Sequence, residues 1–223
     1  AWLRVLTGRP AEAERLLALV DGATSAIPLS DGSDTIEPWI AALRAHMMPS
    51  GVERALADAD LALDQLSAES DWRPTAHLAR GVAHALLGAT DRATGDITAA
   101  VEQGLATGAA EEVYCGRAML ALLAAKRGAW AEARQCAEAA QRTVDEAGLD
   151  FYGTSAMAYV ATARVALHDA RQDDARAALA RAHRLRPLLD HGLPWITVHV
   201  GLELTRAHLA LGEASAARTI FKE

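Results

Sequence analysis

An all-α fold of repeated antiparallel helix pairs is what this sequence predicts. Three observations predict it: an alanine-rich composition, a turn-and-alanine motif that recurs about every 40 residues, and helical spacing of apolar residues on both sides of each turn. Alanine forms helices most readily because fixing it costs no side-chain entropy, and only ten residues are aromatic. A chain composed in this way favours helices that approach closely on small side chains. Its 223 residues are ample for a single repeat domain spanning 1–223, with partial repeats at both ends.

The recurrent motif is a turn residue followed five positions later by alanine. The turn residues are Gly8, Ser50, Gly88, Gly128, Ala170 and Gly212, and their alanines are Ala13, Ala55, Ala93, Ala133, Ala175 and Ala217. Successive alanines stand 42, 38, 40, 42 and 42 residues apart. Four residues beyond each lies Leu17, Ala59, Ile97, Ala137, Leu179 or Phe221, and seven beyond lies Val20, Ala62, Ala100, Ala140 or Ala182. That spacing lays an apolar stripe along a helix that follows each turn.

The segment before each turn repeats as well. Apolar residues sit three and ten positions upstream: Met47 and Ile40, Ala85 and Leu78, Ala125 and Ala118, Leu167 and Val160, Leu209 and Leu202. Seven upstream the residue is often small, as in Gly81, Ala121, Ala163 and Thr205, which lets two helices cross closely. Complete units are expected over Thr35 to Ala68, Trp72 to Leu105, Ala109 to Ala147 and Asp150 to Arg186. Pro38, Pro74 and Pro194 fall in expected first turns, and Gly104, Gly108, Gly148 and Gly192 mark the breaks between units.

This pattern resembles the tetratricopeptide repeat, stretched beyond its usual ~34 residues. Local segments are similar to the helical sensor region of large LuxR-type transcriptional regulators, the group that includes the maltose-regulon activator. They are Trp72-Arg73-Pro74, the run from Arg127 to Ala133, Leu193-Pro194-Trp195, and the run from Leu202 to Gly212. The resemblance implies a right-handed superhelical solenoid whose first helices line a concave groove. It also implies a sensing segment for a small-molecule inducer or protein partner, with DNA read by a separate domain outside this chain. A free-standing adaptor that holds a protein partner is the alternative.

Charge and chemistry agree with a binding role. A formal net charge of −7, from 29 acidic against 22 basic residues, argues against a face that binds the phosphates of nucleic acid. Cys115 and Cys136 make no disulfide framework, and no apolar run reaches membrane-spanning length, so a cytoplasmic protein without membrane contact is expected. The chain starts at Ala1 and stops at Glu223 within helical patterns, which suggests a longer parent protein. No catalytic residue, metal site or cofactor is expected. His77 and His84 share a helix face at a spacing that suits structure better than zinc, and Cys115 reads as a core residue despite Arg117 nearby. Glu111-Glu112 and Asp173-Asp174 read as solvated first turns that offset helix dipoles. Trp130 is expected in the core, with Trp39, Trp72 and Trp195 at unit junctions.

The candidate binding residues come from the first-helix positions expected to face the groove. Six before each turn residue stand Arg44, Val82, Leu122, Arg164 and Arg206. Thirteen before stand Glu37, Thr75, Cys115, Met157 and His199, and two before stand Lys126 and His168. Arg164, His168, His199 and Arg206 are expected to converge across adjacent units, with Arg44 at the same repeat position earlier in the chain. Such cations suit a carboxylate, a phosphate or an acidic partner segment, unless they pair internally with Glu203.

Overall fold

A computed structural model describes residues 4, 9–20, 29–189 and 193–222. Among them are eleven α-helices and no strand, with one isolated bridge residue at Thr35. We number them α1 (Pro10–Val20), α2 (Glu37–Met47), α3 (Val52–Gln65), α4 (Arg73–Leu86), α5 (Thr90–Thr107), α6 (Ala110–Lys126), α7 (Trp130–Ala147), α8 (Ala156–His168), α9 (Gln172–Leu185), α10 (Pro194–Ala210) and α11 (Ala214–Lys222). Two compact units divide the chain, one comprising Ala1–Glu112 with His191–Pro194 and the other Val113–Asp190 with Trp195–Glu223.

In the first unit α2 packs on α3 and α4 on α5, while α4 also lies against both α2 and α3. The pairs are therefore stacked, first helix on first helix. Ala55, Ala93, Ile97, Ala100, Ala59 and Ala62 are all essentially without solvent contact, so the stripe read from the sequence is the packed face of α3 and α5. Proline enters α2 and α4 within their first two positions, where a missing N–H leaves no helical bond unmade. Arg73 of α4 donates to the Leu63 and Leu66 carbonyls, both at 3.1 Å, and so closes the C-terminus of α3.

The second unit repeats the scheme. α8 packs on α9 and on α7, and Ala133, Ala137, Ala140, Ala175, Leu179 and Ala182 are buried. Arg117 of α6 donates to the Ala139 carbonyl at 3.3 Å and the Thr143 hydroxyl at 2.6 Å, which ties the first helix of that pair to the second. Ala217 on α11 is likewise buried.

Turn geometry explains why the motif recurs. Gly88, Gly128, Ala170 and Gly212 all have positive φ, between 57° and 82°. The next N–H returns to a carbonyl five residues back in each case: Ala89 to His84, Ala129 to Ala124, Arg171 to Ala166 and Glu213 to His208, at 2.8–2.9 Å. A left-handed residue thus closes each first helix.

Several expectations change. Ser50 is not the left-handed residue of its turn; Met48 is, at φ 50°, and Gly51 precedes α3 at φ 90°, so this connection is longer than the others. Phe221 is 74% exposed, and Ile220 takes the buried place on α11. Leu202 and Leu209 are exposed on α10, unlike their counterparts Val160 and Ala125. Glu112 is not a solvated first-turn acid: it is buried, and the Thr75 hydroxyl donates to it at 2.6 Å. Burial raises its pKa more than that hydrogen bond lowers it. Trp195 is fully packed, whereas Trp130 is half-buried and stacks on His168. Gly8 and Gly192 lie outside the described residues.

Candidate functional site

The five groove candidates occupy three environments. Arg164 on α8 and Arg206 on α10 reach the same carboxylate, Glu203. Glu203 is buried on α10, its Oε1 accepts from Arg206 at 2.5 Å, and its Oε2 lies 3.9 Å from Arg164. The two arginines keep 34% and 57% of their side-chain surface exposed, so much of their donor capacity faces solvent. His199 sits one turn before Glu203 and donates from Nδ1 to the Trp195 carbonyl at 2.7 Å. Burial pushes its pKa down despite that bond, which disfavours the charged ring.

His168 is held elsewhere. Its ring stacks on Trp130 with centroids 3.7 Å apart and planes within 6°, at the base of α7 rather than beside Glu203. Arg44 belongs to the first unit, half-buried beside Glu14, Met47 and Ser50 around a cavity of about 360 Å³. The structure therefore brings Arg164, Arg206 and His199 around Glu203 and places His168 and Arg44 apart.

A different cluster fills the first unit. On α4, Arg80 donates to Asp96 of α5 at 2.6 and 2.9 Å and to Asp60 of α3 at 3.2 Å. His84 Nδ1 lies 2.8 Å from the other Asp96 oxygen, and His77 Nδ1 is 3.9 Å from the first. Burial alone would raise the Asp96 carboxyl, but nearby His77, the bonds and charge of Arg80, and His84 more than offset it and hold it at about 2. The cluster ties α3, α4 and α5 together as a three-helix clasp, with His77 Nδ1 buried beside it but outside hydrogen-bond reach.

Sequence reasoning missed a signal at this point. His46, His84 and His208 all stand four before their turn residue, in the last turn of a first helix. His46 is completely buried, with its pKa pushed down to about 4. His208 Nδ1 lies 2.7 Å from Glu213 Oε2, and its Nε2 lies 2.8 Å from Nε2 of His183 on α9. Glu213 is in turn held by Arg176 of α9. One repeat position thus carries three histidines in three environments, which their shared spacing could have flagged.

Among the described residues no group of three or more metal-ligating side chains is placed to hold a metal ion, and no helix is long and apolar enough to cross a membrane.

No protein-family profile and no curated protein sequence matches the chain. Solved structures do. BtubC (BKLC) from P. vanneervenii is similar over 94% of this chain and 80% of its own, at 17% identity and a TM-score of 0.55. A kinesin light chain from Podosopora anserina with nearly identical TPR-like repeats is similar over 83% of this chain and 90% of its own, at 16% identity and a TM-score of 0.50. A single-substitution variant of that kinesin light chain covers the same shares at a TM-score of 0.51. The fold is that of tetratricopeptide-like helical repeats.

Proposed function

We propose that this chain is a non-catalytic binding module that holds an anionic partner segment or small effector along the first helices of its pairs. The observation that carries this reading is the meeting of Arg164 and Arg206, from consecutive first helices, at one buried carboxylate. Glu203 fixes where the guanidinium groups sit but engages only part of their N–H donors. The remainder suits forked hydrogen bonds to a carboxylate or phosphate. His199 lies beside this pair; Arg44 and His168 are proposed as further contact points on their own helices.

The finer reading is the sensing segment of a LuxR-type transcriptional regulator, with DNA bound by another domain of a cytoplasmic protein. It rests on the sequence resemblance from Trp72 to Gly212. A free-standing adaptor for a protein partner is the second reading, favoured by the likeness to kinesin-light-chain-type repeats.

The test is the double substitution Arg164→Ala, Arg206→Ala in the full-length protein. Helicity should be kept, with Tm lowered because Glu203 stays buried without its cations, while the response to inducer or partner is lost; a full response would remove the site. The chain itself, titrated with duplex DNA at moderate salt, should show no sequence-selective binding.

A further inference from the structure

We propose that a cleft between α7, α8 and α9 is a second binding site, one that takes a small zwitterion of the amino-acid or dipeptide class. The cleft is about 320 Å³, at the lower end of ligand-pocket size, with α8 as its floor and α7 and α9 as its walls. It involves none of the residues around Glu203.

The first unit shows what such a place holds when it is filled. Arg80 stands eight before its turn residue and projects from α4 to Asp60 on one flanking helix and Asp96 on the other. In the second unit Thr162 stands eight before Ala170, and the position matching Asp96 is Ala178. The position matching Asp60, five beyond the crossing alanine, is Glu138. The guanidinium is gone, one of its carboxylates remains, and the space lies open.

The charges around the opening are not equally available. Arg134 is held by Asp169 through bonds of 3.0 and 2.6 Å, and Arg171 by Asp174 at 2.7 Å and Asp169 at 3.3 Å. Arg181 on the α9 wall instead lies over the Tyr159 ring, 5.3 Å from its centroid, and is engaged by the Tyr159 hydroxyl rather than by a carboxylate. Glu138 on the α7 wall acts on Arg134 only through space. One acceptor of positive charge and one donor to negative charge thus flank an apolar lining that includes Val165 on the floor and Ala178 on the α9 wall. A guest with an ammonium, a carboxylate and a short apolar body satisfies all three.

Leucylalanine, its N-acetyl form and its C-terminal amide, titrated into the 223-residue chain by calorimetry, test the proposal. The zwitterion should bind, and each blocked form should bind about tenfold or more weakly, as expected for loss of one charged hydrogen bond. Glu138→Gln should abolish the preference for a free amine, and Arg181→Gln the preference for a free carboxylate. Thr162→Arg should close the cleft as Arg80 does in the first unit, eliminating binding while helicity and Tm are kept. The Arg164→Ala, Arg206→Ala chain should bind leucylalanine normally, so this site and the first-helix site fail separately. Absence of binding, equal binding of the three forms, or undiminished binding by Thr162→Arg would overturn the assignment.

Discussion

The pair α4/α5 in the first unit and the pair α8/α9 in the second follow one repeat pattern, yet differ at three positions that matter. Eight before the turn residue, Arg80 corresponds to Thr162; seven before, Gly81 corresponds to Ala163; at the turn itself, Gly88 corresponds to Ala170. In the first unit the outcome is a clasp of Arg80, His84 and Asp96 with helices crossing at a glycine. In the second it is an open cleft and a turn made by a residue with a side chain. The apolar stripe that builds the repeat is preserved in both, with Ala93 and Ala175 fully buried. Repetition thus fixes packing and leaves the polar positions between second helices free to close a groove or keep it open.

The largest effect is expected from removing the centre of the clasp. Asp96 is 12% exposed and joins α4 to α5, and Asp96→Ala leaves His84 without its acceptor and Arg80 with Asp60 alone. Breaking one partner of such a pair should cost about 3 kcal/mol, measured by urea denaturation. Ala178→Gly, at the matching position of the second unit, should cost no more than about 1 kcal/mol. The clasp also sets a pH response. The folded-state pKa of Asp96 lies below the ordinary value near 4, so the stability it contributes is complete above about pH 4 and is lost as pH falls towards about 2. Asp96→Ala should flatten that limb of the melting curve against pH. A mutant that matched wild type in both measurements would reduce the clasp to surface decoration.

Gly81→Ala sharpens the contrast at the crossing. A Cβ there would lie 2.5 Å from Ile97 Cγ1 and 3.0 Å from the Ile97 backbone nitrogen. The Ile97 side chain can rotate, but the nitrogen moves only if α5 moves. The substitution should therefore cost about 1–3 kcal/mol, even though alanine is the better helix former. Alanine already occupies this position in the second unit, as Ala121 and Ala163, each 1% exposed. The α6/α7 and α8/α9 pairs thus accommodate at this position the methyl group that the α4/α5 crossing has no room for. An unchanged or raised Tm for Gly81→Ala would mean that α5 yields freely.

What could be read from the sequence follows from the range of the interactions. Spacings of four and seven are local, so the helices, their buried alanines and the turns at Gly88, Gly128, Ala170 and Gly212 were all legible. The Ser50 turn was not: proline at 49 and glycine at 51 lengthen it and transfer the left-handed conformation to Met48, which a fixed offset from Ala55 does not reveal. Polar partnerships were legible only in part. Glu203 was foreseeable as a partner for Arg164 and Arg206 because it neighbours one of them in sequence. The stacking of His168 on Trp130 spans two helix pairs, and the Arg80–Asp96 clasp joins residues 16 apart on opposite arms of a hairpin. Neither has a local signature. The cleft was invisible for the same reason, since it arises where Thr162 is shorter than the arginine that fills the equivalent space.

The smallest expected effect concerns the turn. Ala170 holds φ 57° where Gly88 holds φ 82° and Gly128 and Gly212 hold φ 79° and 77°. Its Cβ crowds the following carbonyl in that conformation, at roughly 1–2 kcal/mol for an L-residue. Glycine would relieve that crowding but would also gain freedom in the unfolded chain, worth about 0.4–1 kcal/mol in the opposite sense. From these two magnitudes, Ala170→Gly should stabilise the protein by about 0.5–1 kcal/mol, and Gly88→Ala should destabilise it by a similar amount. Both turns return the next N–H to the carbonyl five residues back, at 2.8 Å to His84 and 2.9 Å to Ala166, so hydrogen bonding does not separate them. Denaturation of the two single mutants reads this directly. Opposite shifts of similar size would show that the turns are equivalent and that their difference resides in the Cβ alone. Shifts of the same sign would place the difference in the neighbouring contacts instead, with Asp169 beside Ala170, engaged by both Arg134 and Arg171, as the first residue to examine.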